Sequence, residues 1–263
     1  MAGFLIVNPR SGRGRPGADE LAAAARALGV RTHVLTRSED PVEVARAADA
    51  DVIGVAGGDG SLAPVAEVAL ERAVPFVCIP FGTRNHFARG VGLDRDEPLA
   101  ALAAFESTRE IRVDVAHANG RLFLNNVSFG IYARLIHRRE AHRRRRDAFA
   151  RLRAVWLSLR QRHPVALVVD GDPIAARAVL VANNAYELDL FDLGVRERID
   201  EGVLHLYAAE GLLPHTWEAR SASRFRIDAV RPLRAALDGE PLELRPPIEL
   251  RTEPLALRLR LPG

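Results

Sequence analysis

Residues 52–70 read Val52-Ile53-Gly54-Val55-Ala56-Gly57-Gly58-Asp59-Gly60-Ser61-Leu62-Ala63-Pro64-Val65-Ala66-Glu67-Val68-Ala69-Leu70. Val52–Ala56 is a short apolar run and predicts a buried strand, while the alanine-rich Leu62–Leu70 predicts a helix. The glycines between them mark a tight turn from one to the other. The same alternation extends in both directions. Upstream, Phe4–Val7 predicts a strand, Asp19–Leu28 a helix ending at Gly29, Arg31–Thr36 a strand, and Pro41–Ala48 a helix opened by Asp40. Downstream, Pro75–Ile79 predicts a strand, followed by a loop and the short turn Asn85–Arg89. This order predicts an α/β domain over residues 1–107 with a doubly wound parallel sheet. Ligands of such sheets lie outside the carboxyl ends of the strands.

Polar, glycine-rich segments fall at those ends. Asn8-Pro9-Arg10-Ser11-Gly12 follows the first strand, Gly57-Gly58-Asp59-Gly60-Ser61 the third, and Pro80-Phe81-Gly82-Thr83-Arg84-Asn85 the fourth. Glycine lets backbone N–H groups approach phosphate oxygens, and a following helix adds the favourable end of its dipole. Asp59 would repel a phosphate directly, so its presence fits Mg²⁺, or a water on Mg²⁺, that bridges phosphates. Ser61 and Thr83 can donate hydroxyl hydrogen bonds, and Asn8 and Asn85 can fix loop conformation or contact a nucleotide. One such turn is weak evidence; three in register after three strands are much stronger.

From about Thr108 the pattern changes. Arg112–Ala116, Leu122–Phe129, Val165–Val169, Val179–Ala182, Val203–Ala208, Arg224–Val230 and Leu255–Leu261 read as short strands with Asp-Gly and Pro punctuation. They predict an antiparallel, β-rich second domain over residues 108–263. An arginine-rich helical insertion, residues 134–163, interrupts it. All 37 basic residues of the chain are arginine, so P-loop and Schiff-base lysine chemistry are excluded. Eleven of them lie between Arg134 and His163 against Glu140 and Asp147, a local +9 where the whole chain carries +3. That excess points to a polyanionic partner or to a solvated helix face. Phe149, Leu152, Trp156 and Leu159 would share one apolar face of the helix, against the domain or against a membrane. Their spacing fits a core better than base stacking, so no nucleic-acid partner is expected. The single cysteine, Cys78, rules out a disulfide framework and a cysteine-ligated zinc site. With no apolar run of ~18 residues and no charged-then-apolar leader, the expectation is a soluble, cytoplasmic protein.

The three loops, with His86-Phe87-Ala88-Arg89 after the third, resemble signatures of the diacylglycerol kinase catalytic-domain family, which includes bacterial lipid kinases and sphingosine kinases. The resemblance continues through Phe123-Leu124-Asn125-Asn126-Val127-Ser128-Phe129-Gly130, Asp200-Glu201-Gly202-Val203-Leu204 and Asp238-Gly239-Glu240-Pro241-Leu242, in order along nearly the whole chain. It implies an ATP-dependent kinase with the active site between a nucleotide-binding α/β domain and a β-rich lipid domain. Asn8 to Gly12, Thr36, Gly57 to Ser61, Thr83 and Asn85 would line the ATP site. Glu240 would accept the proton of the lipid hydroxyl, with Asp238 and Asp59 in the magnesium–water network. Glu201, flanked by Asp200, would be the side-chain ligand of a structural magnesium site, with Arg198 and Val203 as backbone ligands. A carboxylate near the attacking hydroxyl is what phosphoryl transfer needs. Spacing alone does not distinguish Asp238-Gly239-Glu240-Pro241 from the near copy Asp170-Gly171-Asp172-Pro173, which reads as a plain hairpin.

Departures from the family pattern stand at Ser61 for threonine, Ala63-Pro64 for Asn-Glu, His86 for aspartate and Glu201 for aspartate. They motivate a second expectation: a nucleotide- or lipid-binding regulator that kept the fold and lost catalysis. A sheet edge in the second domain offers a route to a homodimer. The Arg138–Arg153 stretch would dock on anionic headgroups and associate the protein peripherally with the membrane, each arginine contributing ~1 kcal/mol. Binding to anionic liposomes is therefore expected to fall steeply with salt in a flotation assay, and salt-indifferent binding would remove the docking role.

Overall fold

The structure is a computed structural model describing residues 2–12, 16–130, 165–186, 196, 198–209 and 217–263. The basic stretch 134–163, with Phe149, Leu152, Trp156 and Leu159, lies outside the described residues. Two compact units divide the chain: residues 1–115, 198–200 and 254–263 form the first, and residues 116–197 and 201–253 the second.

The first unit contains β1 (Gly3–Val7), α1 (Ala18–Ala27), β2 (Arg31–Val34), α2 (Pro41–Ala47), β3 (Val52–Gly57), α3 (Asp59–Glu71), β4 (Phe76–Pro80) and α4 (His86–Gly90). A 3-10 helix over Ala100–Phe105 follows. The strands run parallel in the order β2-β1-β3-β4. The long strand Ile248–Arg260, β16 in chain order, completes this sheet at its far end, where Leu259 pairs parallel with Phe76. The reading from Leu255 thus caught only the last part of that strand.

Local chemistry explains the element ends. The Asp40 carboxylate accepts the Val42 N–H at 2.8 Å and starts α2, with Pro41 in the first helical position. Gly29, at a φ of 74°, stops α1. The α1 face carrying Leu21, Ala22 and Ala25 is buried with Leu5, Val7, Val52, Ala56, Val77 and Ile79 of the sheet. One expectation needs correcting. α3 begins at Asp59, three residues before Leu62, so Pro64 sits past the first turn and the Gly60 carbonyl has no N–H four residues on to accept from.

The second unit holds β6 (Arg121–Phe123), β7 (Asn126–Gly130), β8 (Val165–Val169), β9 (Asp172–Ala176), β10 (Ala178–Asn183), β11 (Leu204–Ala209), β12 (Trp217–Ala222), β13 (Arg224–Asp228), β14 (Leu233–Leu237) and β15 (Glu240–Leu244). Six strands form an antiparallel sheet ordered β12-β11-β10-β7-β14-β15. The start of β16 pairs antiparallel with β13, which continues to β8 and β9. β5 (Glu110–Ala118) begins in the first unit and forms a hairpin with β6 in the second. One core fills this unit, with Val127, Phe129, Val179, Val181, Leu204 and Leu206 from the six-stranded sheet and Leu167, Val169, Phe225, Ile227, Ile248 and Leu250 from the other strands. Alternate residues point inward on every strand, as the period-two pattern requires. The fold class is as read: an α/β unit with a parallel sheet, and a β-rich antiparallel unit. The expected strand Leu122–Phe129 is two strands, broken at Leu124-Asn125 for a reason given below.

The ring of Phe105 packs on the sheet at Gly54, where an added Cβ would stand 2.6 Å from the ring and 3.1 Å from both the Val77 Cβ and the Val77 carbonyl oxygen. Gly54→Ala is expected to destabilise the protein by about 1–3 kcal/mol through overpacking, read as a lower urea midpoint at unchanged slope.

Candidate functional site

In the first unit the three glycine-rich loops interlock. Asn8 is the connector of the first: its backbone N–H continues the sheet to the Ala56 carbonyl, its Oδ1 accepts the Arg10 N–H, and its Nδ2 donates to the Ser61 Oγ at 3.0 Å. Ser11 closes the turn by donating its N–H to the Asn8 carbonyl, and Gly12 packs against the Phe81 ring. The second loop joins the third through the Phe81 N–H on the Gly57 carbonyl and the Phe87 N–H on the Asp59 Oδ1 at 3.0 Å. Asn85, fully buried and left-handed at a φ of 52°, folds its amide onto both backbone groups of Gly82. It fixes the loop, one of the two roles expected of it.

The tightest feature is backbone against backbone. A Cβ on Gly82 would fall 2.3 Å from the Gly58 Cα. Only glycine at position 82 allows this approach, and it holds the 57–61 and 80–85 segments edge to edge at the carboxyl ends of β3 and β4. Thr83 is exposed on this rim and Ser61 half-buried. Thr36, also exposed, lies just past β2, its N–H held by the Glu39 carboxylate at 2.6 Å. That bond, with the Thr36 hydroxyl and His33, pulls the Glu39 carboxyl down to about 2.

These residues fit a phosphate chain. α3 opens at Gly58 with no side-chain cap, leaving the positive end of a 13-residue helix for an anion. The Ser61 oxygen accepts from Asn8 and so retains its proton to donate. The donor set also fits Mg²⁺ that arrives with its phosphates, an ion commonly held by one or two carboxylates plus phosphate oxygens and waters. Asp59 is the carboxylate of the three loops, and among the described residues no group of three or more His, Cys, Asp or Glu forms a metal cluster. His86 opens α4 directly after Asn85, and Ala63 is buried in α3.

The second unit separates the two Asp-Gly hairpins that spacing left equal. Both use a left-handed pair at the turn, Asp170 and Gly171 at φ of 51° and 94°, Asp238 and Gly239 at 46° and 86°. The Asp170 carboxylate accepts the Arg226 N–H at the surface. The Asp238 carboxylate is buried and accepts three consecutive backbone N–H groups, Leu124 at 2.8 Å, Asn125 at 2.8 Å and Asn126 at 2.9 Å. Three amides turned toward one carboxylate cannot also serve a strand ladder, and this breaks the expected strand 122–129. Glu240 opens β15 as an exposed residue two positions on.

The candidate structural-metal residues are engaged locally. Asp200 pairs with the Arg198 Nε at 3.2 Å in the first unit. In the second, the Glu201 Oε2 accepts the Ala185 N–H at 2.8 Å and meets the His205 Nε2 at 3.3 Å. The Val203 carbonyl accepts the Asn184 N–H. Sequence reading missed Arg196, a buried guanidinium whose donors reach the Leu124 and Asn183 carbonyls and the Asn125 Oδ1. No local motif flags an arginine whose partners lie up to 72 residues away.

The family model for the diacylglycerol kinase catalytic domain matches residues 2–118. A Pseudomonas aeruginosa PAO1 protein named "Probable lipid kinase YegS-like" is 42% identical over 92 residues, which cover 34% of this chain and 30% of that protein. That match thus spans under a third of the relative's length. A Klebsiella pneumoniae (strain 342) protein of the same name is 25% identical over 99% of this chain and 96% of its own. The solved structure of a diacylglycerol kinase from Bacillus anthracis str. Sterne shares the fold, with a TM-score of 0.72 at 22% identity over 99% of this chain and 96% of that one.

Gly82→Ala is expected to part the second and third loops. Hydrogen exchange at the Phe81 and Phe87 amides should rise at least tenfold while β1 and β3 stay protected; unchanged exchange would show that the Gly58–Gly82 approach does not hold the loops.

Proposed function

We propose that the chain, whose residues 2–118 match the family model for the diacylglycerol kinase catalytic domain, is an ATP- and Mg²⁺-dependent lipid kinase. It transfers the γ-phosphoryl group to the hydroxyl of diacylglycerol or a related membrane lipid. The observation that carries this reading is the interlock of three loops around an uncapped helix start, joined by Asn8–Ser61, Phe87–Asp59 and the Gly58–Gly82 approach.

In this reading the α3 amides and the Ser61 hydroxyl bind phosphate oxygens, with Thr83 on the rim and Thr36 beside the first loop. Asp59 holds Mg²⁺, which when bound neutralises charge on the phosphates. Glu240 accepts the proton of the attacking hydroxyl as the new O–P bond forms and the ADP oxygen departs. Asp238 sets the turn from which Glu240 projects. The arginine stretch 134–163 holds the cytoplasmic enzyme peripherally on anionic lipid. Pro64 beyond the first turn of α3 and His86 at the start of α4 support the second reading, a regulator that binds nucleotide without transfer.

Radiolabelled ATP with a total lipid extract separates them. The kinase yields a labelled lipid, and Glu240→Gln is expected to lower kcat by roughly 100-fold or more with nucleotide binding retained. Nucleotide binding without labelled lipid, unaffected by Glu240→Gln, would establish the regulator instead.

A further inference from the structure

Arg196 is buried, with 4% of its surface exposed. Taking a guanidinium out of water costs several kcal/mol unless its donors are met, so what meets them is informative. Nη1 donates to the Leu124 carbonyl at 2.7 Å and the Asn183 carbonyl at 3.1 Å, and Nη2 donates to the Asn125 Oδ1 at 2.9 Å. The guanidinium also lies over the Tyr186 ring, 5.5 Å from its centroid.

Leu124 and Asn125 are the residues whose N–H groups enter the Asp238 carboxylate. One short peptide segment is therefore held on its carbonyl side by a buried cation and on its amide side by a buried anion. Hydrogen bonds on one side of a peptide polarise it and strengthen those on the other. The anion sits at the first position of its hairpin turn: Asp238 is left-handed at a φ of 46°, the conformation that an Asp-Gly turn adopts. Beyond the turn the chain runs through Gly239 directly into Glu240 and β15.

We propose that Arg196 is a positioning residue: through the 124–126 segment and Asp238 it fixes the turn that presents the Glu240 carboxylate. This rests on the reading of Glu240 as the proton acceptor. Arg196 does not touch the reacting atoms; it sets the orientation of the group that does. A lysine keeps the charge but presents a single ammonium in place of the planar fork that reaches Leu124, Asn125 and Asn183 together.

The test uses the full chain with Arg196→Met and Arg196→Lys, read by residue-resolved hydrogen exchange and by steady-state kinetics with ATP and lipid vesicles. Arg196→Met is expected to raise exchange at the Leu124, Asn125, Asn126 and Glu240 amides by tenfold or more, with β10 and β11 still protected. Its kcat should fall roughly 10- to 100-fold while both KM values stay within about twofold, as for a misplaced group. Arg196→Lys should recover part of both effects. Unchanged exchange at Glu240, protection lost uniformly across the sheet in both variants, or an unchanged kcat would overturn the positioning role. Should the wild-type protein make no lipid product, the kinase reading fails, and the exchange arm alone then decides whether Arg196 fixes the turn.

Discussion

The contact on which the candidate site depends has no side chain in it. Gly58 and Gly82 bring two backbone turns together at a distance that a Cβ on Gly82 would forbid. Everything around it is consistent with protecting that approach. Asn85 spends its whole amide on Gly82, Asn8 braces Ser61, and the Phe81 N–H is tied to the Gly57 carbonyl. Backbone groups held this way form a rigid, polar rim at the strand ends, where a flexible loop would have to be ordered by its ligand. The parallel sheet beneath supplies the rigidity, since β1, β3 and β4 are almost wholly buried.

How much of this was legible depends on the range of the interactions. Strand–helix alternation is local, so β1 to α4 were read to within a few residues, while the 3-10 helix Ala100–Phe105 was not read at all. The start of α3 was missed because Asp59-Gly60-Ser61 carries poor helix formers whose conformation is set by the neighbouring loop. The break at Leu124-Asn125 was illegible for a stronger reason: the carboxylate that causes it lies 114 residues further on. The two Asp-Gly hairpins show the same limit. Their local geometry is the same, and only the burial of Asp238 against another segment separates them. The resemblance pointed to the copy at Asp238 without supplying that difference.

A chain with no lysine also builds its polar interior in a particular way. Arg72 donates to the carbonyls of Ala45, Ala48 and Ala50 and closes the end of α2. Arg258 grips Glu110 with two nitrogens and the Ala73 carbonyl with a third. Arg196 does the same among buried acceptors. Each of these sites uses the planar fork, which a compact ammonium cannot imitate. The exposed pairs, such as Arg226 with Asp228 and Glu249, add little stability, because water and salt screen them.

The path of β16 has a consequence for synthesis. Residues 254–263 belong to the first unit, and Leu259 pairs beside Phe76 of β4, next to the parallel strands β1–β4 that lie within the first eighty residues. A ribosome that has released β4 has therefore produced a sheet with one open flank. That flank keeps unpaired amides and carbonyls for the time needed to translate more than 170 further residues. Such a flank is a template for pairing between nascent chains. Residues 254–260 close it, so the loss of that half of β16 would be felt at the beginning of the chain.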